Sequence, residues 1–346
     1  MVRDPAERVE ARLAGLVAAE RARWTAVDPD AVDLFDALER LLLAPAKRLR
    51  PAFCYWGFVA AGGEPGDDRP VTAGAAFELL HAFALLHDDV MDGSWLRRGQ
   101  PACHVDQAAR HDAGGWAGES RRFGDGVAIL AGDLAYAYAD DLMRLAPEAA
   151  RAVWAELRLE LNVGQYLDIL GTARRERRPA AAERIARYKS GRYTVERPLH
   201  VGALLGAPPA AADLLAGLSA YGVPLGDAFQ FRDDLLGAFG DPELTGKPVG
   251  DDLREGKPTV LLAMAAARAE PAQGEILAAV GDPELSPADV AAIQEVLVAT
   301  GAVAELEARI DTLVAEALDG LALAPVAADA RPALTELTRV VAYRSR

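Results

Sequence analysis

The sequence predicts an all-α protein, one domain over residues 1–346, and three observations carry that expectation. Apolar residues recur at helical spacing along most of the chain, while the period-two alternation of a half-buried strand is almost absent. Prolines and glycines fall between the periodic stretches, where helices start and stop. No Ser/Gly- or Pro-rich linker and no internal repeat divides the chain.

Asp4-Pro5 offers an N-cap side chain followed by a proline at the first helical position, which opens a helix running to Trp24. Periodicity predicts further helices over 30–43, 51–62, 71–93, 126–144, 147–173 and 180–204. Another spans 210–238, with Pro224 as a candidate kink. Ser286-Pro287-Ala288-Asp289 starts a later helix, and the last lies within 328–344. Between them, 62–68 and 114–126 read as loops. The polar stretch 240–258 is longer than the roughly 12–15 residues at which a loop in a compact domain usually has a function. It reads as a lid.

Composition narrows the function. With 51% hydrophobic and 26% charged residues the chain is ordinary globular material. A net charge of −15 argues against general affinity for nucleic acid or an anionic membrane. Any anionic substrate therefore needs a local basic pocket. No run of about 18 apolar residues occurs, so no integral membrane segment is expected. The amino-terminal stretch carries no signal-peptide core. Cys54 and Cys103, widely spaced, fit buried thiols in a reducing cytoplasm.

The chemistry lies in two acidic motifs. At about 100° per residue, His81, Ala84, Asp88 and Asp92 share one helical face, so two carboxylates one turn apart point the same way, while Asp89 is turned off it. Like charges at that spacing repel by a few tenths of about 1 kcal/mol unless a cation sits between them. Mg²⁺ suits such a pair, because it takes one or two carboxylates and fills the remaining positions with water and phosphate oxygens. Taken alone, the motif also reads as a solvated acidic helix end. Asp233 and Asp234 close a largely apolar helix, where paired acids are costly unless compensated. Basic clusters at Lys47-Arg48-Leu49-Arg50, Arg97-Arg98 and Lys189-Ser190-Gly191-Arg192, with Lys247 and Lys257 in the long loop, could hold diphosphates.

In order along the chain, Ala46-Lys47-Arg48-Leu49-Arg50-Pro51, Leu86-His87-Asp88-Asp89-Val90-Met91-Asp92, Arg97-Arg98-Gly99-Gln100-Pro101, Lys189-Ser190-Gly191, Phe229-Gln230-Phe231-Arg232-Asp233-Asp234 and Gly246-Lys247-Pro248 through Lys257-Pro258-Thr259 resemble the motifs of the trans-isoprenyl diphosphate synthase (polyprenyl synthetase) family. The geranylgeranyl diphosphate synthases are the most similar members. The resemblance implies an orthogonal helix bundle of the isoprenoid synthase type with a central apolar cavity, acting as a homodimer in the cytoplasm. It implies a head-to-tail condensation of isopentenyl diphosphate with an allylic diphosphate. Asp88, Asp92 and Asp233 would hold Mg²⁺ on the allylic diphosphate, with Arg97, Lys189, Lys247 and Lys257 as its basic partners. Lys47, Arg50, His81 and Arg98 would bind isopentenyl diphosphate, and Ser190 and Gln230 would turn oxygen dipoles toward the developing cation.

Two positions depart from the family pattern: Ala46 stands for the usual glycine, and Gly237 for the last aspartate of the second motif. Phe83 and Ala84, just ahead of the first motif, are the candidate chain-length residues, and they imply a C20 product with C15 next. Rival readings are a farnesyl diphosphate synthase, a class I terpene cyclase, and a silent subunit of a heteromeric prenyl synthase. The cyclase lacks support because no Asn-Asp-x-x-Ser-x-x-x-Glu motif occurs, and the silent subunit because both acidic motifs are largely intact.

Overall fold

The computed structural model describes residues 4–206, 212–241 and 249–343. Helix α1 (Pro5–Val27) begins as its cap residue dictates: the Asp4 carboxylate accepts from the Ala6 N–H at 3.1 Å, and Pro5 occupies the first turn. There follow α2 (Val32–Leu43), α3 (Leu49–Ala60) and α4 (Arg69–Asp92), the last carrying the first acidic motif to its carboxy-terminal end. After α4 come α5 (Cys103–Ala113), α6 (Ser120–Met143) and α7 (Glu148–Ala173). Next, α8 (Pro179–Ala186) runs through a ten-residue π-type segment (Arg187–Glu196) into α9 (Arg197–Gly206). Helix α10 (Ala212–Phe239) contains Pro224 without interruption and carries the second acidic motif.

Short helices α11 (Asp251–Glu255), α12 (Val260–Ala266) and α13 (Pro271–Leu277) lead to α14 (Pro287–Ala299), α15 (Ala302–Leu323) and α16 (Ala330–Ala342). The expected start of α14 is a full capping box, Ser286 and Asp289 satisfying each other's backbone N–H. The all-α expectation holds, with α4 packed on α6, α3 on α9 and α10 on α15. One apolar cluster takes Leu13, Phe53, Phe77, Leu80, Trp154 and Tyr221, and a second takes Leu262, Ile293, Leu306 and Ile310. Helix α10 serves both, with Leu225 and Phe229 in the first and Phe231 and Leu235 in the second.

Three differences from the sequence reading have physical causes. The stretch 114–126 is a loop only to residue 119; Ser120 already lies in α6, whose first turn is polar and so carries no apolar period. Helix α5 is short and polar, with Ala102 at its cap making no side-chain bond, so it leaves no boundary signal. Leu96–Arg97 and Gln100–Pro101 pair as a two-residue-loop hairpin, with φ of 54° at Arg98 and 73° at Gly99. That primed turn matches strand twist but spans too few residues to show alternation.

Candidate active site

Helices α4, α7 and α10, the π-type segment and the 249–260 stretch enclose a cavity of about 440 Å³. Its wall holds Asp88, His81 and Ala84 from α4, Lys189, Ser190 and Tyr193 from the π-type segment, and Gln230, Asp233 and Asp234 from α10. Arg50, Arg97, Arg98 and Lys257 complete the polar lining, and Leu85, Leu161, Ile185 and Phe229 the apolar one. Most candidate residues are therefore brought together from widely separated segments.

Position by position, the first motif divides as the helical wheel requires. Asp88 accepts from Lys189 Nζ at 2.9 Å and from Gln165 Nε2 at 2.9 Å, while Arg97 stands 3.8 Å off. Burial alone would raise its pKa, but Lys189, Lys257 and Arg97 outweigh burial and hold Asp88 well below the usual carboxylate range. Asp89, turned off the face, is 2% exposed and pairs with the Arg97 guanidinium, Nε lying at 2.9 Å. It thus aims Arg97 into the site. Asp92 is met by Lys257 Nζ at 3.1 Å.

Both lysines sit between carboxylates of different elements. Lys189 also donates to Asp168 Oδ2 at 2.5 Å, so it ties α4 to α7. Its position is set by close packing, for a Cβ on Gly164 of α7 would stand 2.5 Å from the Lys189 backbone nitrogen. The wide π-type turn around it is the kind of helix defect that recurs at functional sites. Lys257 reaches Glu255 Oε2 at 2.6 Å and Asp252 Oδ1 at 3.6 Å as well as Asp92. Burial works against its charge, but Asp252, Asp92 and Glu255 hold its pKa well above the ordinary lysine value. Ser94 Oγ donates to Glu255 at 2.9 Å, so this stretch is closed onto the end of α4.

The second motif explains its own departure. A Cβ at Gly237 would lie 1.8 Å from Asp252 Oδ2, so the carboxylate of Asp252 occupies the space that a side chain at 237 would need. An acid from α11 thus stands beside the second motif, where the motif itself carries none. Asp234 is buried and receives Gln230 Nε2 at 2.9 Å and the Val260 N–H at 2.8 Å. Gln230 is thereby oriented with its amide nitrogen committed and its oxygen left for the cavity. Burial raises Asp234 to about 7 against those hydrogen bonds.

Some expectations fall elsewhere. Lys47 is exposed ahead of α3 and is not among the cavity's lining residues. Lys247, with the rest of 242–248 in the anticipated lid, lies outside the described residues. Phe83 stacks on His87 and Tyr136, with ring centroids 4.6 and 4.9 Å away, and is not among the lining residues, whereas Ala84 is. Arg98 donates to the Leu41 carbonyl at 3.0 Å while lining the cavity. Asp168, Gln165, Asp252, Glu255 and Tyr193 are site residues that received no role from sequence reasoning. Gln165 and Asp168 lie on α7, and only their tertiary contacts, to Asp88 and Lys189 respectively, give them work.

Arg48, in the same basic cluster as Lys47 and Arg50, is structural. It begins α3 with φ of 50° and bonds Glu78 at 2.5 Å in the core, Glu10 at 3.2 Å and the Leu42 carbonyl at 2.6 Å. Breaking one side of a buried pair leaves an uncompensated charge. Glu78→Gln should cost about 3 kcal/mol in denaturant unfolding, the low end because Glu10 remains. A loss below about 0.5 kcal/mol, the scale of surface substitutions, would refute that reading.

No group of three His, Cys, Asp or Glu side chains that could hold a metal ion by itself occurs among the described residues. The chain offers instead carboxylate oxygens on two walls of one cavity, Asp88 on α4 and Asp233 on α10, while Asp92, one turn beyond Asp88 on α4, is not among the lining residues and reaches the site through Lys257, which lines it. Hard oxygen donors in ones and twos suit Mg²⁺ that shares its remaining positions with water and phosphate. The donor set therefore fits that ion when a diphosphate is present.

Comparison with known proteins agrees. The sequence model of the polyprenyl synthetases matches residues 32–297. A geranylfarnesyl diphosphate synthase of Aeropyrum pernix is 33% identical over 311 residues, 87% of this chain and 90% of that one. A geranylgeranyl pyrophosphate synthase from Corynebacterium glutamicum, solved with isoprenyl diphosphate and magnesium, superposes with a TM-score of 0.94 at 37% identity, covering 99% of both chains. A polyprenyl synthase from Caulobacter crescentus, solved with calcium and isoprenyl diphosphate, gives 0.79 at 29% identity, over 100% of this chain and 99% of that one.

Proposed function

The chain belongs to the polyprenyl synthetase family, and from that premise we propose that it is the member that builds geranylgeranyl diphosphate. The reaction is the head-to-tail condensation of isopentenyl diphosphate with an allylic diphosphate in the presence of Mg²⁺, giving a short-chain polyprenyl diphosphate. The observation that carries the site assignment is the convergence of Asp88, Lys189, Gln230, Asp233 and Lys257 on one cavity.

In the mechanism, Asp88, Asp92 and Asp233 would hold the metal. Bound Mg²⁺ supplies positive charge to a leaving diphosphate. Lys189, Lys257 and Arg97 add fixed positive charge where that negative charge accumulates, at no reorganisation cost in the transition state. The allylic carbon–oxygen bond breaks with its electron pair going to the diphosphate. Ser190 and the free oxygen of Gln230 face the resulting cation, whose empty orbital is filled by the double bond of isopentenyl diphosphate. A proton then leaves to the released diphosphate. Leu85, Leu161, Ile185 and Phe229 keep water from the cation.

The decisive experiment incubates purified protein with Mg²⁺, labelled isopentenyl diphosphate and each allylic starter, then sizes the products. A C20 end product is expected; C15 would make it a farnesyl diphosphate synthase. No elongation with any starter would favour the cyclase or the silent subunit.

Binding of the ion carries a proton signature. Burial raises Asp92 to about 6 against the attraction of Lys257, with Asp88 adding to the rise. A folded pKa above the unfolded one favours the protonated form, so Asp92 and Asp234 make the ligand-free protein less stable as pH climbs from about 4 to 7. Mg²⁺ needs the ionised carboxylate, so its affinity should weaken about tenfold per pH unit below about 6. Calorimetric titration at pH 7.5 and 5 measures this, and equal affinities would remove Asp92 as a ligand.

The whole of 1–346 is read as one domain, which the sharing of α10 between both apolar clusters supports. No described helix is long and apolar enough to cross a membrane. A cytoplasmic homodimer is the working assembly. Leu159, Val163 and Tyr166 support it, a stripe on α7 exposed by 63, 54 and 62% at spacing i, i+4, i+7. Val163→Glu should shift the mass measured by light scattering from dimer to monomer; a wild-type monomer would end this reading.

A further inference from the structure

Three polar atoms that the mechanism above leaves idle meet at one part of the cavity wall. The Tyr193 hydroxyl, Arg50 Nε and His81 Nδ1 are buried and have no hydrogen-bond partner. They come from the π-type segment, α3 and α4, yet the Arg50 guanidinium lies 4.3 Å over the Tyr193 ring and the His81 ring is 6.2 Å from it. Arg50 is held in that stack by its bond to Thr194 Oγ1 at 3.0 Å. Tyr193 itself is only 3% exposed. Buried polar groups in folded proteins are nearly always paired, so three orphans facing one cavity mark a place where a ligand supplies the partners.

The chemistry of that ligand follows from the neighbours. Burial pushes the Tyr193 phenol above its usual pKa, so it is neutral and can donate. Arg50 Nε can only donate. Arg98 and Arg97 raise the local positive charge further, and burial, with Arg50 and Arg98 adding to it, depresses the His81 pKa. A carbocation is repelled from such a place, whereas anionic oxygen is drawn to it. We propose that the Tyr193 hydroxyl is a further substrate-binding group, donating a hydrogen bond to the diphosphate of isopentenyl diphosphate beside Arg50 and His81. This rests on the condensation reading above. The ring performs a second task, giving Arg50 a face on which to lie flat.

Tyr193→Phe separates the two tasks, because it removes the hydroxyl and keeps the ring. With Mg²⁺ and farnesyl diphosphate as starter, KM for isopentenyl diphosphate should rise about tenfold, as expected for a lost hydrogen bond to a charged group. KM for farnesyl diphosphate and kcat should stay within about twofold of wild type. Meanwhile the ligand-free variant should melt at or above the wild-type temperature, since an unpaired buried hydroxyl has gone. An unchanged KM for isopentenyl diphosphate overturns the proposal, as does a lower melting temperature with both KM values raised together, the mark of a structural role. A wild type that elongates no starter overturns the condensation reading and this inference with it. A wild type that elongates beside an indistinguishable Tyr193→Phe overturns the inference alone.

Discussion

Asp88→Asn should lower elongation by about 10²–10³-fold, the scale set by removing one preorganised group from a site that stabilises developing charge. The substitution keeps the shape and an acceptor oxygen for Lys189 and Gln165, both 2.9 Å from Asp88 Oδ1. What it removes is the charge that a metal ion needs. Lys189 retains Asp168 at 2.5 Å, so its ammonium is not abandoned in the interior and the fold should survive. The contrast is Asp89→Asn. Asp89 is more deeply buried and faces Arg97, so its loss should appear first as lower stability and weaker allylic binding. Steady-state rates at saturating Mg²⁺, with melting curves for both variants, separate the two carboxylates. A loss under tenfold in Asp88→Asn would remove Asp88 from the metal clamp.

That difference between neighbouring aspartates was legible in the sequence, because helical geometry alone turns residue 89 about 100° away from 88. Cap chemistry was equally local: Asp4, Pro5 and Ser286 need only their own turns to act. The unreadable part depends on contacts across the fold. Nothing in Lys47-Arg48-Leu49-Arg50 says that Arg48 enters the core to meet Glu78, thirty residues on, while Arg50 reaches the cavity. Likewise the absence of a side chain at Gly237 looked like a defect in the second motif. It becomes space for Asp252 only once α11 packs against α10. The π-type segment is hidden for the same reason, since its packing on α7 and α10 is not written in its own residues.

Product length provides the second large effect. Along α4 the face that carries Asp88 continues to Ala84, about 6 Å nearer the start of the helix, and Ala84 lines the cavity. Phe83 is rotated away and packs on His87 and Tyr136. A growing prenyl chain that passes Ala84 meets only a methyl group there. Ala84→Phe puts a ring into that path, so the end product should shorten from C20 to C15 or C10. Elongation of a C15 starter should fall by more than tenfold, while that of a C5 starter stays near wild type. Phe83→Ala tests the neighbouring position by a different route. Removing its ring frees His87 and Tyr136 to move, so any lengthening should come with a loss of stability of about 3 kcal/mol, the lower range for Phe→Ala in a core. Products sized for both variants decide between them. If Ala84→Phe still makes C20 and Phe83→Ala makes longer chains at unchanged stability, the tail runs past Phe83. If only Ala84→Phe changes the product, the tail follows the metal-bearing face of α4, and the helix that holds the diphosphate also ends the chain.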